Sequence, residues 1–173
     1  MLGQTLVPIT QADYEEAARQ DAYYAGRWSY YKAVADMVGN LMPLESILEI
    51  GANRLPIVRG CDTMDNRAVL PDLTYLHDAS HTPWPMTAKK YDLLIALQVW
   101  EHLQGRQQEA FREVMRVSRA AILSFPFRWF CPDDANHHAI DEKKITWWTL
   151  GVKPQEIVVV TGVRKRIIYR FAF

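Results

Sequence analysis

The sequence predicts an α/β fold: a three-layer α/β/α sandwich around a seven-stranded, mostly parallel sheet that closes with an antiparallel C-terminal hairpin. Three observations predict it. Ser46 to Ile50 and Tyr91 to Val99 are near-continuous apolar runs, the pattern of strands buried on both faces of a parallel sheet. Strand signals alternate with helical spacings along most of the chain, which calls for crossovers that lay helices on both faces. Only a short turn at Thr161-Gly162 separates the last two strand signals, Ile157 to Val160 and Arg166 to Phe173, so these pair antiparallel.

The elements follow in order. Met1 to Thr10 is an extended lead containing Pro8, and Thr10 offers an N-cap for a polar helix from Gln11 to about Tyr24, broken at Gly26. A second helix, Arg27 to Val38, sets Trp28, Tyr31, Ala35 and Val38 near one face and ends at Gly39-Asn40. The first strand is apolar but for Glu49, and Asp62 to Asp65 forms the second. Only about ten residues, Pro56 among them, connect the two, so a crossover helix there has one or two turns at most. Leu73 to Leu76 makes a short third strand ending at His77-Asp78, and Pro83-Trp84-Pro85 then excludes regular structure. Tyr91 to Val99 is the fourth strand, Gln107 to Ser118 a helix and Ala120 to Phe125 the fifth strand. After a polar and aromatic loop from Pro126 to Asp141, Asp141 caps a helix through Trp148 that Gly151 ends.

Length and composition set outer limits. At 173 residues the chain suits one domain, with N-terminal helices in residues 1–45 and a Rossmann-like core in 46–173. Lys and Arg (20) balance Asp and Glu (20), so no basic surface points to nucleic acid as a partner. Cys61 and Cys131 lie far apart without a C-x-x-C spacing, and no apolar leader is present, which leads us to expect free thiols in a reducing cytoplasm. No apolar run approaches the roughly 20 residues that cross a bilayer, and no membrane association is expected. The oligomeric state leaves no mark in the sequence.

Right-handed crossovers bring the carboxyl ends of the strands to one crevice, so Gly51, Asp65, Asp78, Val99 and Phe125 should ring it. The turn after the first strand, G-A-N-R-L, carries a single glycine and lacks the G-x-G-x-x-G that cradles a pyrophosphate. A nicotinamide cofactor is therefore disfavoured. An acid closing the second strand can accept both hydroxyls of a ribose, a role open to Asp65 or, three residues earlier, Asp62.

The motifs L-E-I-G at 48–51, T-M-D-N at 63–66, H-D-A at 77–79, P-W-P at 83–85 and Y-D-L-L-I-A-L-Q-V-W-E-H-L at 91–103 stand in register, followed by F-R-E-V-M-R-V-S at 111–118 and F-P-F. Over residues 46 to 127 this order and spacing resembles the class I S-adenosylmethionine-dependent methyltransferases, the type-11-like group in particular. The resemblance implies S-adenosylmethionine as cofactor and methyl transfer to a small-molecule acceptor, a metabolite or a sugar-like compound. It places the ribose on Asp65 with Asn66 beside it, and the adenine on Asp78 and the Ala79 backbone. The methionine end falls to Glu49, Gly51, Ala52 and Asn53, and the Leu97-Gln98 backbone runs alongside.

The other polar residues each carry two readings. A lone carboxylate inside an apolar strand is costly unless employed, so Glu49 is read as functional ahead of a pairing with Arg54 or a backbone group. His102, His137 and His138 are the candidate bases; the alternatives are capping of the region after the fourth strand by the pair Glu101-His102 and a surface position for the adjacent histidines. No His, Cys and Asp cluster has metal-ligand spacing, so no metal is expected. The cations Arg164, Lys165, Arg166 and Arg170 read as a solvated face. Acceptor binding falls by position to the loop holding Phe127, Arg128 and Trp129 and to the N-terminal aromatic cluster, for which packing against the sheet is the favoured reading. The rival to an enzyme is a binding or scaffold module of the same fold, motivated by the reduced glycine turn and short crossover. A dinucleotide or nucleotide-sugar enzyme is the third reading.

Overall fold

The computed structural model describes residues 5–173. Its N-terminal lead forms β1 (Val7–Pro8), after which α1 (Gln11–Gln20) starts on a capping box. The Thr10 hydroxyl accepts the Asp13 N–H at 3.3 Å, and the Asp13 carboxylate accepts the Thr10 N–H at 2.7 Å. This helix stops short of Tyr24 because the Asp21 side chain accepts the Tyr23 N–H at 2.8 Å and starts a separate 3₁₀ turn over Ala22–Tyr24. The second helix, α2 (Trp28–Gly39), completes the layer.

The chain then winds β2 (Ile47–Ile50), β3 (Val58–Arg59), β4 (Asp62–Asp65), β5 (Tyr75–Leu76), β6 (Tyr91–Leu97), α3 (Gln107–Val117), β7 (Ser118–Pro126), α4 (Glu142–Trp148), β8 (Glu156–Val160) and β9 (Arg166–Ala172). Seven of these strands form the main sheet, in the order β5-β4-β2-β6-β7-β9-β8. All adjacent pairs are parallel except those of β9, which runs antiparallel to both β7 and β8. The expected layers and reversed strand are present.

One-residue alternation along the strands feeds two cores. Ile47, Leu93, Ile95, Ile122 and Ile168 pack against Tyr31, Val34 and Val38 of α2. Leu48, Ile50, Leu94, Ala96 and Leu123 turn the other way, onto Phe111 and Val114 of α3 and Ile145 and Trp148 of α4. A two-sided sheet thus explains the uninterrupted apolar runs.

Three details differ from the sequence reading. No helix links β2 to β4; the short connection instead carries β3, which pairs antiparallel with β1, Val7 opposite Arg59 and Pro8 opposite Val58. Eleven residues with a proline are too few for a helical crossover, so the backbone finds partners in the N-terminal lead, including an Ile9 N–H to Ile57 carbonyl bond of 2.8 Å. The third strand shrinks to Tyr75–Leu76, and the hairpin turns through residues 161 to 165 rather than two.

Candidate functional site

At the carboxyl ends of β2, β4, β5 and β6 lies a crevice of about 730 Å³, within the ~300–1,000 Å³ usual for ligand sites. Gly51, Asn53, Asp65, Asn66, Asp78, Ala79, Leu97, Gln98 and His102 all border it, although they come from four separate turns. Gly51 has φ +68°, and a Cβ there would lie 2.6 Å from Cγ2 of Val99. The close approach at this turn is therefore made first by the protein's own valine. Asp65 closes β4 with one carboxylate oxygen accepting the Arg67 N–H at 3.0 Å. Among the described residues its other oxygen accepts no hydrogen bond. Asp62 sits at the opposite end of β4, bonded to Tyr91 at 2.6 Å and Lys90 at 3.1 Å, and stands off the crevice.

Asp78 closes a turn, accepting the Ser80 N–H at 2.8 Å. Burial pushes its pKa up, but bonds from Ser80, the charge of His81 and a bond from Asn66 outweigh this and hold the carboxyl below its ordinary value. Ala79 is pinned behind it, its carbonyl accepting the Trp84 indole N–H at 3.1 Å.

Glu49 and Ala52 do not border the crevice. The pleat turns Glu49 to the α1/α2 face, where it is 2% exposed and accepts the Ile57 N–H at 2.7 Å. Burial lifts its pKa to about 8 against the opposing bonds from Ile57 and Val58. The backbone partner weighed for Glu49 is the one it has, and its carboxylate fastens the irregular β2–β4 connection. Ala52 is buried in the same turn.

A second cavity of about 480 Å³ adjoins the crevice and shares Tyr23, Gln98 and His102 with it. Arg27, Trp129, His137, Arg164 and Arg166 supply most of the rest of its polar and aromatic wall. Arg166 is not a solvated cation: it is 6% exposed, lies over the rings of Tyr30 at 4.8 Å and Trp129 at 5.5 Å, and among the described residues its Nε has no hydrogen-bond partner. Of the aromatic cluster, Tyr24, Tyr30 and Tyr31 are buried in the core, as the packing reading had it, while Tyr23 is exposed and borders both cavities. In the loop, Trp129 reaches the second cavity; Phe127 is buried in the core, and Arg128 pairs with Glu142 at 2.8 Å.

The three candidate bases part company. Half-buried His102 borders both cavities, and burial, followed by the electrostatic influence of His137, lowers its pKa and favours the unprotonated imidazole. His137 borders the second cavity, stacked on Trp129 with ring planes 9° apart and edge-on to His102 at 4.9 Å. His138 borders neither: its Nδ1 accepts the Cys131 N–H at 3.2 Å and so clamps the loop. Behind His102 and His137 lies Glu101, which the sequence reading passed over as a cap. Burial raises its pKa to about 8, against the opposing influence of its own backbone N–H and of Arg166. The structure thus brings one ligand atom each of Glu101, His102 and His137 within 4.8 Å of one another, a grouping that linear spacing does not show.

No protein-family model and no curated protein sequence matches the chain. Solved structures do. The N-methyltransferase NodS of Bradyrhizobium japonicum WM9, in complex with S-adenosyl-L-homocysteine, superposes with a TM-score of 0.63 at 16% identity, over 83% of this chain and 85% of that one. Magnesium protoporphyrin IX methyltransferase of Synechocystis PCC 6803 with bound S-adenosylhomocysteine gives 0.58 at 16% identity, over 85% and 83%. A Thermotoga maritima S-adenosylmethionine-dependent methyltransferase, described as a possible histamine N-methyltransferase, gives 0.57 at 10% identity, over 93% and 98%. With the strand order and reversed β9, these superpositions show that the chain has the fold of the class I S-adenosylmethionine-dependent methyltransferases.

Proposed function

We propose that the chain binds S-adenosylmethionine in the crevice and transfers its methyl group to a small-molecule acceptor in the second cavity. One observation carries the reading: Asp65, with an unoccupied carboxylate oxygen, and Asp78 stand at successive strand ends on one crevice that has no phosphate cradle. Those are the groups a ribose diol and an adenine edge require, and a pyrophosphate would find no nest there. The methionine end then falls to the turn at Gly51 and Asn53 and to Gln98. The sulfonium supplies an activated methyl and departs as a neutral thioether, so the chain's task is alignment in line, exclusion of water and removal of one proton.

His102, its unprotonated imidazole favoured and on the boundary between the cavities, is placed to take that proton from an acceptor oxygen or nitrogen. Arg27, Arg164 and Arg166 around the second cavity favour an acceptor bearing a carboxylate or phosphate. Cys61 and Cys131 are free thiols, which fits a cytoplasmic protein. No helix among the described residues is long and apolar enough to cross a membrane.

Calorimetry with S-adenosylhomocysteine tests the reading. Asp65→Ala removes the carboxylate acceptor of two hydroxyl bonds, each worth about 1.5–3 kcal/mol, so affinity should fall at least about 100-fold. An unchanged affinity would remove the assignment. The absence of a helical crossover after β2 favours one rival, a module that binds without transferring. Tight binding with no labelled methyl passed to any small anionic acceptor would point that way.

A further inference from the structure

We propose that Glu101, His102 and His137 form a binding site for a divalent transition metal of the zinc class, beyond the cofactor and acceptor sites above. One ligand atom from each of the three lies within 4.8 Å of the others, and Glu101 Oε1 is 3.9 Å from His137 Nε2. Zinc bonds of ~2.0–2.2 Å place tetrahedral donors about 3.4 Å apart, so small side-chain rotations close the set.

The carboxylate supplies an independent observation. The Glu101 side chain is 0% exposed, and among the described residues neither of its oxygens accepts a hydrogen bond. A buried carboxylate without donors is among the least tolerated groups in a fold. Arg166, the nearest buried cation, makes no ion pair with it; among the described residues its one ionic neighbour within 4 Å is His137. A bound cation gives the buried carboxylate the partner it lacks.

The histidines are prepared in the same sense. His137 Nδ1 lies 2.6 Å from Asp134 Oδ2, which fixes the proton on Nδ1 and leaves the Nε2 lone pair facing Glu101. Asp134 is itself held by the Asn136 N–H at 3.2 Å, and the His137 ring is stacked on Trp129. A carboxylate behind an imidazole whose other nitrogen is aimed at a second carboxylate is the outer-shell arrangement that orients metal-ligating histidines. Two imidazoles and one carboxylate suit zinc and its neighbours and disfavour magnesium or calcium, which prefer oxygen alone. Three protein donors leave a coordination position open, and the cavity bordered by His102 and His137 is where it would face. If the methyl-transfer reading holds, an acceptor oxygen bound there would lose its proton more easily, and with its lone pair on the metal His102 would position the ion in place of taking that proton itself.

The test is metal binding itself, without methyl donor. Chelator-stripped full-length protein is titrated with zinc in competition with a chromophoric chelator, and with cobalt(II) followed by its visible absorption. One zinc per chain is expected, with a cobalt spectrum of low-symmetry coordination. Asp134→Asn should weaken zinc about 10- to 100-fold, the usual cost of losing an outer-shell partner, and Glu101→Gln or His137→Ala should weaken it by at least as much. His137 and Asp134 lie in a surface loop, so their variants keep the fold, and circular dichroism verifies this. Zinc and cobalt binding that is the same in wild type and in the Glu101→Gln and His137→Ala variants overturns the proposal, as does absence of binding. Because no S-adenosyl compound is present, this result stands or falls separately from the calorimetry above.

Discussion

Replacing Glu49 with glutamine isolates a buried proton. The carboxyl has its pKa lifted from the ordinary 4.5 to about 8, chiefly by burial, so between these values the folded chain holds one proton more than the unfolded chain. The sign follows: the contribution to stability is fully present below the unfolded pKa and is lost as pH rises through the folded one. The slope is about 1.4 kcal/mol per pH unit, and the whole window amounts to roughly 4–5 kcal/mol. Glutamine keeps an oxygen to accept the Ile57 N–H but cannot titrate. Glu101, also raised to about 8, falls in parallel, while His102, lowered, adds stability as pH rises through its ordinary value. Both act equally in wild type and variant. Urea denaturation at several values between about pH 5.5 and 7.5 should therefore show the variant gaining on wild type by about 1.4 kcal/mol for each pH unit. A stability difference independent of pH would refute the argument, because it would mean that Glu49 does not titrate differently in the two states.

Two further positions probe the turn at Gly51 and the support of the loop at Trp84. Gly51→Ala places a Cβ 2.6 Å from Val99 Cγ2 in a left-handed conformation, and should cost about 2–4 kcal/mol in chemical denaturation. Val99→Ala in the same chain should recover part of that loss, and a purely additive pair would show that Val99 is not the obstacle. Glu113→Gln weakens the carboxylate that accepts the Trp84 N–H at 2.6 Å and the Arg116 guanidinium at 2.5 Å, and should destabilise by about 2–3 kcal/mol. The bond from Arg116 holds the pKa of Glu113 below its ordinary value, against burial, so its stabilisation is present above the unfolded pKa and lost as pH falls through the folded one; the penalty of the variant should shrink in acid.

The parts legible in the sequence were those decided locally. Leu93 to Ile95 and Ile47 to Ile50 announce a two-faced sheet because both faces demand apolar side chains, and Asp65 could be placed because strand ends converge in this topology. What escaped depends on pairings between distant segments. Arg166 reads as a solvated cation until Tyr30 and Trp129 arrive over it. Glu101 and His137 meet only when the loop after β7 folds back over the turn after β6. His137 and His138 are neighbours with opposite fates, because a loop without periodicity gives no rule for which side chain faces inward. The pair β1 and β3 joins residues some fifty positions apart through backbone bonds, which leave no mark on residue type.

That small ribbon makes the crevice a shared property of two remote parts of the chain. The turn holding Gly51 and Asn53 leads directly into Ile57 and Val58, and these are bonded to Ile9 and paired with Pro8. Release of the N-terminal lead therefore unties the connection that follows this turn, and a ligand that steadies the turn must, by reciprocity, retard that release. Amide exchange at Ile9, far in sequence from the turn at Gly51, becomes a gauge of its occupancy.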